Sequence, residues 1–377
     1  MRVVVTGQVG IDKKAFLERA VAAAGRAGCD VTLCNVGERM YAEAPDVPAG
    51  KILDLPLSRL NTLRRSVFKD ILAAGAGEKN IIVNTHATFR WRHGLFYAFD
   101  YDLMGELAAD LYITLVDNID RVHARLLRDG HTNHTLKDLM VWREEEILAT
   151  ELLSQIVGGH GCFYILSRGP DDADDAGPAE MLARLIANRK WKKTYISFPM
   201  TNIDEAETVT RIRQFRTEMK RYFICFDPGD LEEKYLCGLA LAAAEAGDRF
   251  VPLIVDGRRI SIETIELLAI LPDIDGQIYA RDFKLIDQSD MIISLIPAVP
   301  VGDGSSTRPG ISSGVERELQ HAHEAAKDVF VIWTADADPS PFITETATRV
   351  FRSVGEAVVF FAENNFIPNN PLGRLLG

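Results

Sequence analysis

Short apolar runs of strand length alternate with helical patterns along almost the whole chain. An alternation of this kind folds into βα units, which close as parallel sheets with helices packed on their faces. In the first half, strands are expected at Arg2–Thr6, Asp30–Cys34, Asn80–Asn84, Leu111–Val116 and Cys162–Ser167, with helices such as Lys13–Ala24 and Leu60–Ala74 between them. The acidic, turn-rich stretch Ser167–Glu180 reads as an exposed loop before a last helix, Ala179–Asn188. A second series opens at KKTYISFPM (Lys192–Met200) and continues with strands at Tyr222–Phe226, Phe250–Ile254, Met291–Ile296 and Val329–Trp333. A length of 377 residues suits two domains. The boundary falls near residue 190, in NRKWKK, giving domains 1–190 and 191–377.

The charge balance narrows the partners. Lys plus Arg total 42 against 54 Asp plus Glu, a formal charge of −12, so there is no global attraction for a phosphate backbone and nucleic acid is not expected as a partner. Small anions remain accessible, since backbone amides and a few placed cations suffice for them. No apolar run reaches the roughly 18 residues a membrane helix needs, so no membrane association is expected. The chain starts on a strand-like run, MRVVVTG, without a signal-peptide pattern. Five cysteines without C-x-x-C spacing read as reduced thiols of a cytoplasmic protein.

The first glycine turn is the most conspicuous motif. In VTGQVGIDKK an apolar strand runs through Gly7 and Gly10 into a helix, as a phosphate-binding loop does. Set against G-x-x-x-x-G-K-[ST], Lys13 keeps the charge that reaches terminal phosphates. Asp12 replaces the second glycine and adds negative charge, and Lys14 replaces the hydroxyl residue that ligates Mg²⁺. Together with NVG at 35–37, NTHA at 84–87 and LVDNIDRVHARLLRD at 115–129, this loop resembles the archaeal type of adenylate kinase, in matching order over most of residues 1–190. The resemblance implies a P-loop nucleoside monophosphate kinase-like parallel sheet. Asn35 and Gly37 would line the monophosphate site, and Asn84, Thr85, His86 and Ala87 would stand where the family has a Walker-B-like D-T-H-A.

Departures from the family weaken phosphoryl transfer. The family's Asp is Asn84 here, and the lid segment DGHTNHTLKD (Asp129–Asp138) carries no arginine, although Arg125 and Arg128 stand nearby. Phosphoryl transfer rests on Mg²⁺ and cationic stabilisation, so binding of ATP or another nucleotide is expected and efficient turnover is not. Gly7, Gly10, Lys13, Lys14, Asn35, Gly37, Thr85, His86 and Arg125 are the expected nucleotide contacts. His131 and His134 read as solvated loop residues; no metal site is expected.

In the second half, GISSGVERELQHAHEAAKDVFVIW (Gly310–Trp333) places Ser313 and Glu316 as a capping box, with the helix running through Ala326. Glu318 lies in the first turns of that helix, after a strand end, where open α/β sheets place ligands. Asp282 sits on the helix leading into that same strand, so two carboxylates from adjacent elements can meet at one crevice, the pairing required for substitution at an anomeric carbon. The preceding stretch, Pro297–Gly314, reads as a long Gly, Pro and Ser-rich loop.

TYISFPM, ARDFKLIDQSD and SSGVERE resemble the motifs of the nucleoside 2-deoxyribosyltransferase superfamily over about residues 192–335, and look closest to its 2′-deoxynucleoside 5′-phosphate N-hydrolases. That resemblance implies a Rossmann-like or flavodoxin-like doubly wound sheet. Glu318 would be the nucleophile at C1′, Asp282 would orient it or relay a proton, and Tyr195 would hydrogen-bond beside it. Ser312, where free-nucleoside transferases carry Asp, favours a 5′-phosphate, held with Ser313, Gly314 and Arg308. The family's Gly-Ser turn is replaced by Phe198, Pro199, Met200 and Thr201, leaving Thr201 and Asn202 as polar substitutes.

The expectation is an enzyme that cleaves or exchanges the N-glycosidic bond of a nucleoside 5′-monophosphate, without a required cofactor. The kinase-like domain would then act as a nucleotide-binding regulator. The alternatives are a nucleoside monophosphate kinase with a variant loop, and a non-catalytic nucleotide sensor. The second family implies a homo-oligomer, commonly a dimer that completes its site.

Overall fold

The computed structural model describes residues 1–75, 77–91, 94–169, 177–188, 190–200, 205–301 and 306–367. In chain order the elements begin β1 (Arg2–Thr6), α1 (Lys13–Arg26), β2 (Thr32–Asn35), α2 (Val36–Glu43), α3 (Leu57–Gly75) and β3 (Ile81–Asn84). A small hairpin, β4 (Thr88–Trp91) with β5 (Gly94–Tyr97), precedes α4 (Tyr101–Leu107), β6 (Leu111–Val116), α5 (Ile119–Arg128), α6 (Leu136–Val157), β7 (Phe163–Ser167) and α7 (Pro178–Ala187). The chain continues with β8 (Lys193–Ser197), α8 (Ala206–Tyr222), β9 (Ile224–Phe226), α9 (Lys234–Ala246), β10 (Phe250–Val255), β11 (Arg258–Glu263) and α10 (Thr264–Asp287). It ends with β12 (Met291–Ile296), β13 (Ala298–Val301), β14 (Ser306–Pro309), α11 (Ser313–Glu324), β15 (Asp328–Trp333), α12 (Pro341–Thr344), β16 (Arg349–Phe351) and α13 (Val354–Glu363).

Two five-stranded sheets carry the α/β architecture expected from the alternation. One has the order β2-β3-β1-β6-β7, with every neighbouring pair parallel. The other runs β16-β15-β12-β8-β9, again parallel throughout. The central strands are apolar on both faces, as parallel strands covered by helices must be: β6 and β12 are buried at all six positions. In the first sheet Val4, Val83 and Tyr112 pack with Val67, Phe68 and Ile71 of α3. In the second, Ile293, Phe330 and Ile332 pack with Phe215 and Met219 of α8 and Phe361 of α13. No helix among the described residues is long and apolar enough to cross a membrane.

Contacts within the chain gather it into two compact units, each drawn from more than one stretch of sequence. Of the described residues, those within 1–169, 178–187 and 231–275 form one unit, and Gly177 with those within 188–230 and 276–367 forms the other. The segment from Leu231 joins the first unit through buried polar contacts. Glu233 is fully buried, pairs with both terminal nitrogens of Arg143 at 2.8 and 3.0 Å, and accepts the Ile119 amide at 2.7 Å. The Tyr235 hydroxyl donates to Asp120 at 2.6 Å, and the Leu136 amide donates to Glu266 at 2.6 Å.

Two sequence expectations fail here for reasons of turn chemistry. Phe250–Val255 is not a strand of the second parallel sheet; it pairs antiparallel with β11 in a hairpin of the first unit. The turn is Asp256-Gly257, both residues at positive φ (48° and 73°), a pairing that matches the twist of a tight hairpin. Residues 297–314 are not one long loop either, because β13 and β14 pair antiparallel within them; residues 302–305 lie outside the described residues. Tyr222 closes α8 rather than opening a strand, and β16 adds an edge strand that was not expected.

Breaking the Arg143–Glu233 pair from one side leaves a charge buried and unpaired. Glu233→Ala is therefore expected to destabilise the first unit by about 3–5 kcal/mol, read as a lower urea midpoint. Arg143→Met combined with Glu233→Met should recover most of that loss.

Candidate functional site

The phosphate loop of the first unit keeps its shape through backbone positions rather than motif side chains. Gly7 (φ +143°) and Gly10 (φ +88°) are the two glycines the turn requires: a Cβ on Gly7 would meet the Leu115 carbonyl oxygen at 2.8 Å, and one on Gly10 would meet Leu126 at 2.9 Å. Asp12 takes the third special position itself, at φ 58° and ψ 49°, a left-handed conformation that Asp tolerates better than most residues. Its carboxylate lies 3.8 Å from the buried Arg168 guanidinium, so its charge is countered rather than left beside the loop.

Beneath the loop sits the carboxylate of Glu146, from α6 and fully buried. It accepts the amides of Gly7 (3.0 Å), Ala87 (2.8 Å) and Thr88 (2.8 Å) and the Thr88 hydroxyl (2.7 Å). Lys13 is buried as well. Its ammonium donates to the Gly7 carbonyl at 2.7 Å and stands 3.2 Å from Nδ1 of His86. Burial lowers the Lys13 pKa to about 8, against the pull of Glu146. Burial and the Lys13 charge together push His86 well below its ordinary range, so the imidazole is neutral and accepts.

A cleft of about 380 Å³ opens beside this loop, within the range of small-molecule sites. Gly10, Lys13, Lys14, Asn35, Gly37, Thr85 and His86 all line it. Two expected residues do not. Gly7 is turned to Glu146, and Arg125 is buried against Asp117 at 2.7 Å, with its other nitrogen 3.3 Å from Asp256. The carboxylate of Asp117, just after β6 and two residues before α5, captures that arginine. Sequence reasoning missed the apolar side of the cleft, Tyr41, Ile52, Leu53 and Phe89, and its one arginine, Arg64. Arg64 is buried, donates to the Tyr97 carbonyl at 3.0 Å and keeps an unpaired Nε. Its helical spacing with Leu60, Val67 and Ile71 on the buried face of α3 was the available signal.

The residues present do not fit a magnesium ion. Lys14, in the place of the ligating hydroxyl, forms an ion pair with Glu38, which also accepts the Asn35 amide at 3.1 Å. The amide nitrogen of Asn84 donates to Asn35 at 2.8 Å, leaving one neutral oxygen where a carboxylate would stand. Among the described residues, no group of three His, Cys, Asp or Glu side chains could hold a metal.

The second unit gathers its own constellation at the C-terminal ends of β8 and β12, where the direction of strand addition reverses, the position at which open α/β sheets bind ligands. Glu318 of α11 accepts the Tyr195 hydroxyl at 3.0 Å and the Ser197 hydroxyl at 2.6 Å. Burial raises the Glu318 carboxyl to about 7; the Asp282 charge adds to that, and the two hydroxyl bonds oppose it. Asp282 is held by Arg281 at 3.3 Å and also acts, with burial and Glu318, to raise Tyr195 far above its ordinary value. Ser197 was not foreseen, although its i+2 spacing from Tyr195 on β8 puts both on one face.

The expected phosphate contacts of this unit are placed less convergently. The N-cap of α11 is Ser312, not Ser313: the Ser312 hydroxyl accepts the Val315 amide at 3.3 Å. Helix α11 ends at Glu324, short of Ala326. Ser313 and Gly314 are exposed in the first turn, and Arg308 is exposed on β14. Thr201 and Asn202 lie outside the described residues.

No family model matches the chain. Adenylate kinases of Pyrococcus furiosus and Pyrococcus abyssi are each 28% identical to it, over 189 and 191 residues, covering 49% of this chain and 92% of the relative. A gluconokinase from Sinorhizobium meliloti 1021 aligns with 16% identity and a TM-score of 0.30, over 50% of this chain and 94% of its own. The N-terminal half of this α/β protein is thus similar to adenylate kinase.

The raised carboxyl gives a stability signature independent of any reaction. Between its ordinary pKa of 4.5 and about 7, the folded chain holds a proton on Glu318 that the unfolded chain has released. The associated stability is fully present below 4.5 and lost as pH rises through 7. Glu318→Gln should therefore raise the melting temperature at pH 8 and change it little at pH 5, as read by differential scanning calorimetry.

Proposed function

We propose that this chain handles nucleotides, with the first unit as an adenylate-kinase-like nucleotide-binding unit. The observation that carries the reading is the cleft beside an intact phosphate-loop backbone, lined by Lys13, Lys14 and Arg64 and closed on one side by Tyr41, Ile52, Leu53 and Phe89. Backbone amides at the start of α1 suit phosphate, and the apolar side suits a base. The similarity to the two adenylate kinases supports the same reading. Rapid phosphoryl transfer is not part of it, because the groups that place the metal are replaced by Lys14 and Asn84. Titration calorimetry with ATP, ADP and AMP tests the reading, with coupled detection of ADP from ATP and AMP as the control for turnover. Affinity should fall about tenfold or more in Lys13→Ala. In the unsubstituted protein it should weaken as pH rises through about 8, where Lys13 loses its proton.

A second reading is favoured by the Tyr195, Ser197, Asp282 and Glu318 constellation: cleavage of the N-glycosidic bond of a nucleoside 5′-monophosphate. The Glu318 carboxylate would attack C1′ as the bond to the base breaks, its electron pair leaving with the base nitrogen. Asp282 would orient the nucleophile or relay to that nitrogen a proton drawn from water. Water would then cleave the glycosyl ester, returning the carboxylate and releasing the sugar phosphate. Because the nucleophile must be ionised, kcat/KM should rise with pH to a plateau above about 7. Ser197→Ala removes a hydrogen bond that favours the carboxylate and should move that limb upward. Chromatographic detection of free base from a panel of nucleoside monophosphates is the measurement. No release from any of them, or release unchanged in Glu318→Ala, rules the reading out.

A further inference from the structure

We infer that the cleft of the first unit takes a nucleotide polyphosphate without a divalent metal, the Lys14 ammonium supplying the positive charge that magnesium supplies beside an ordinary phosphate loop. The inference rests on the nucleotide-binding reading and adds to it the ionic form of the ligand. Lys14 follows Lys13 at the start of α1, so it stands at the helix end that attracts phosphate, and its side chain lines the cleft. An ordinary loop has a hydroxyl here, and the ion bound to it bridges the terminal phosphates. A lysine cannot ligate that ion, and a divalent cation placed beside it would meet a fixed like charge.

Lys14 is positioned to take over the charge. Its resting partners are Glu38 of α2 and, at 3.9 Å, Glu18 one turn on in α1, and the three side chains are 49%, 55% and 58% exposed. An ion pair that open to water is weakly held, so a polyphosphate can draw the ammonium from Glu38. The ammonium then acts as a point charge with three donors, the usual manner in which lysine meets phosphate. The cleft lining supports an anion without further help: Lys13, Lys14 and Arg64 stand against Asp12 and Glu38, and Asp12 is countered by Arg168. The only polar group of Asn84 left over is a buried neutral amide oxygen, which a divalent ion would need several partners to complement.

The test is titration calorimetry of ATP into the full chain, once in EDTA and once with excess magnesium. The expected result is affinity in EDTA equal to or tighter than with magnesium. Lys14→Thr, which restores the ligating hydroxyl, should bind about tenfold more weakly in EDTA and regain part of that when magnesium is added. Glu38→Gln, which leaves Lys14 only its longer contact with Glu18, should bind at least as tightly as the unsubstituted chain in EDTA. An unsubstituted chain that binds ATP about tenfold more weakly in EDTA overturns the inference while leaving nucleotide binding in place. So does a folded Lys14→Thr variant, checked by its melting curve, whose affinity in EDTA is unchanged. If ATP binds in neither condition, the nucleotide reading itself fails and the inference falls with it.

Discussion

The carboxylate of Glu146, sealed inside a 22-residue helix, is the contact on which the first unit's cleft depends. It draws four donors from two separate loops: Gly7 at the start of the phosphate loop, and Ala87 and Thr88 after β3. A buried carboxylate is tolerable only when its lone pairs are filled, and here backbone amides fill most of them. Neither loop can shift without uncovering that charge. The cradle therefore keeps its form although Asp12 and Lys14 have replaced two residues of the phosphate-loop motif. Lys13 and His86 are placed by the same arrangement, within reach of Glu146 and of each other.

The second unit uses a half-buried carboxylate differently. Among the described residues Glu318 receives two hydroxyl hydrogen bonds, and the charge of Asp282 works against it. Burial dominates, so the group holds its proton toward neutral pH. A carboxyl whose pKa burial lifts toward neutrality opposes the stability of the fold above that pH.

Much of the architecture was legible in the periodicity. Runs such as Arg2–Thr6, Leu111–Val116 and Met291–Ile296 match their strands residue for residue, because a parallel strand covered on both faces must be apolar throughout. The misplaced strand at Phe250 shows the limit. Its alternating pattern and the Asp256-Gly257 pair were hairpin signals, outweighed by the expectation that the βα rhythm would continue. Which unit that hairpin joins was not legible, since Glu233, Arg143, Tyr235 and Asp120 are polar residues whose partners lie some ninety or more positions away.

The candidate sites divide in the same manner. Local sequence determined the glycine turn, the two successive lysines, the Tyr195 and Ser197 face of β8 and the helix start before Glu318, because backbone conformation and side-chain direction follow from near neighbours. Tertiary structure decided which of these groups share a cavity. It turned Arg125 away to Asp117, countered Asp12 with Arg168, brought Arg64 into the cleft from α3, and set Glu38 opposite Lys14. Those outcomes depend on burial and on the charge of residues distant in the chain, and a carboxylate or a guanidinium takes its partner from whatever the fold places beside it.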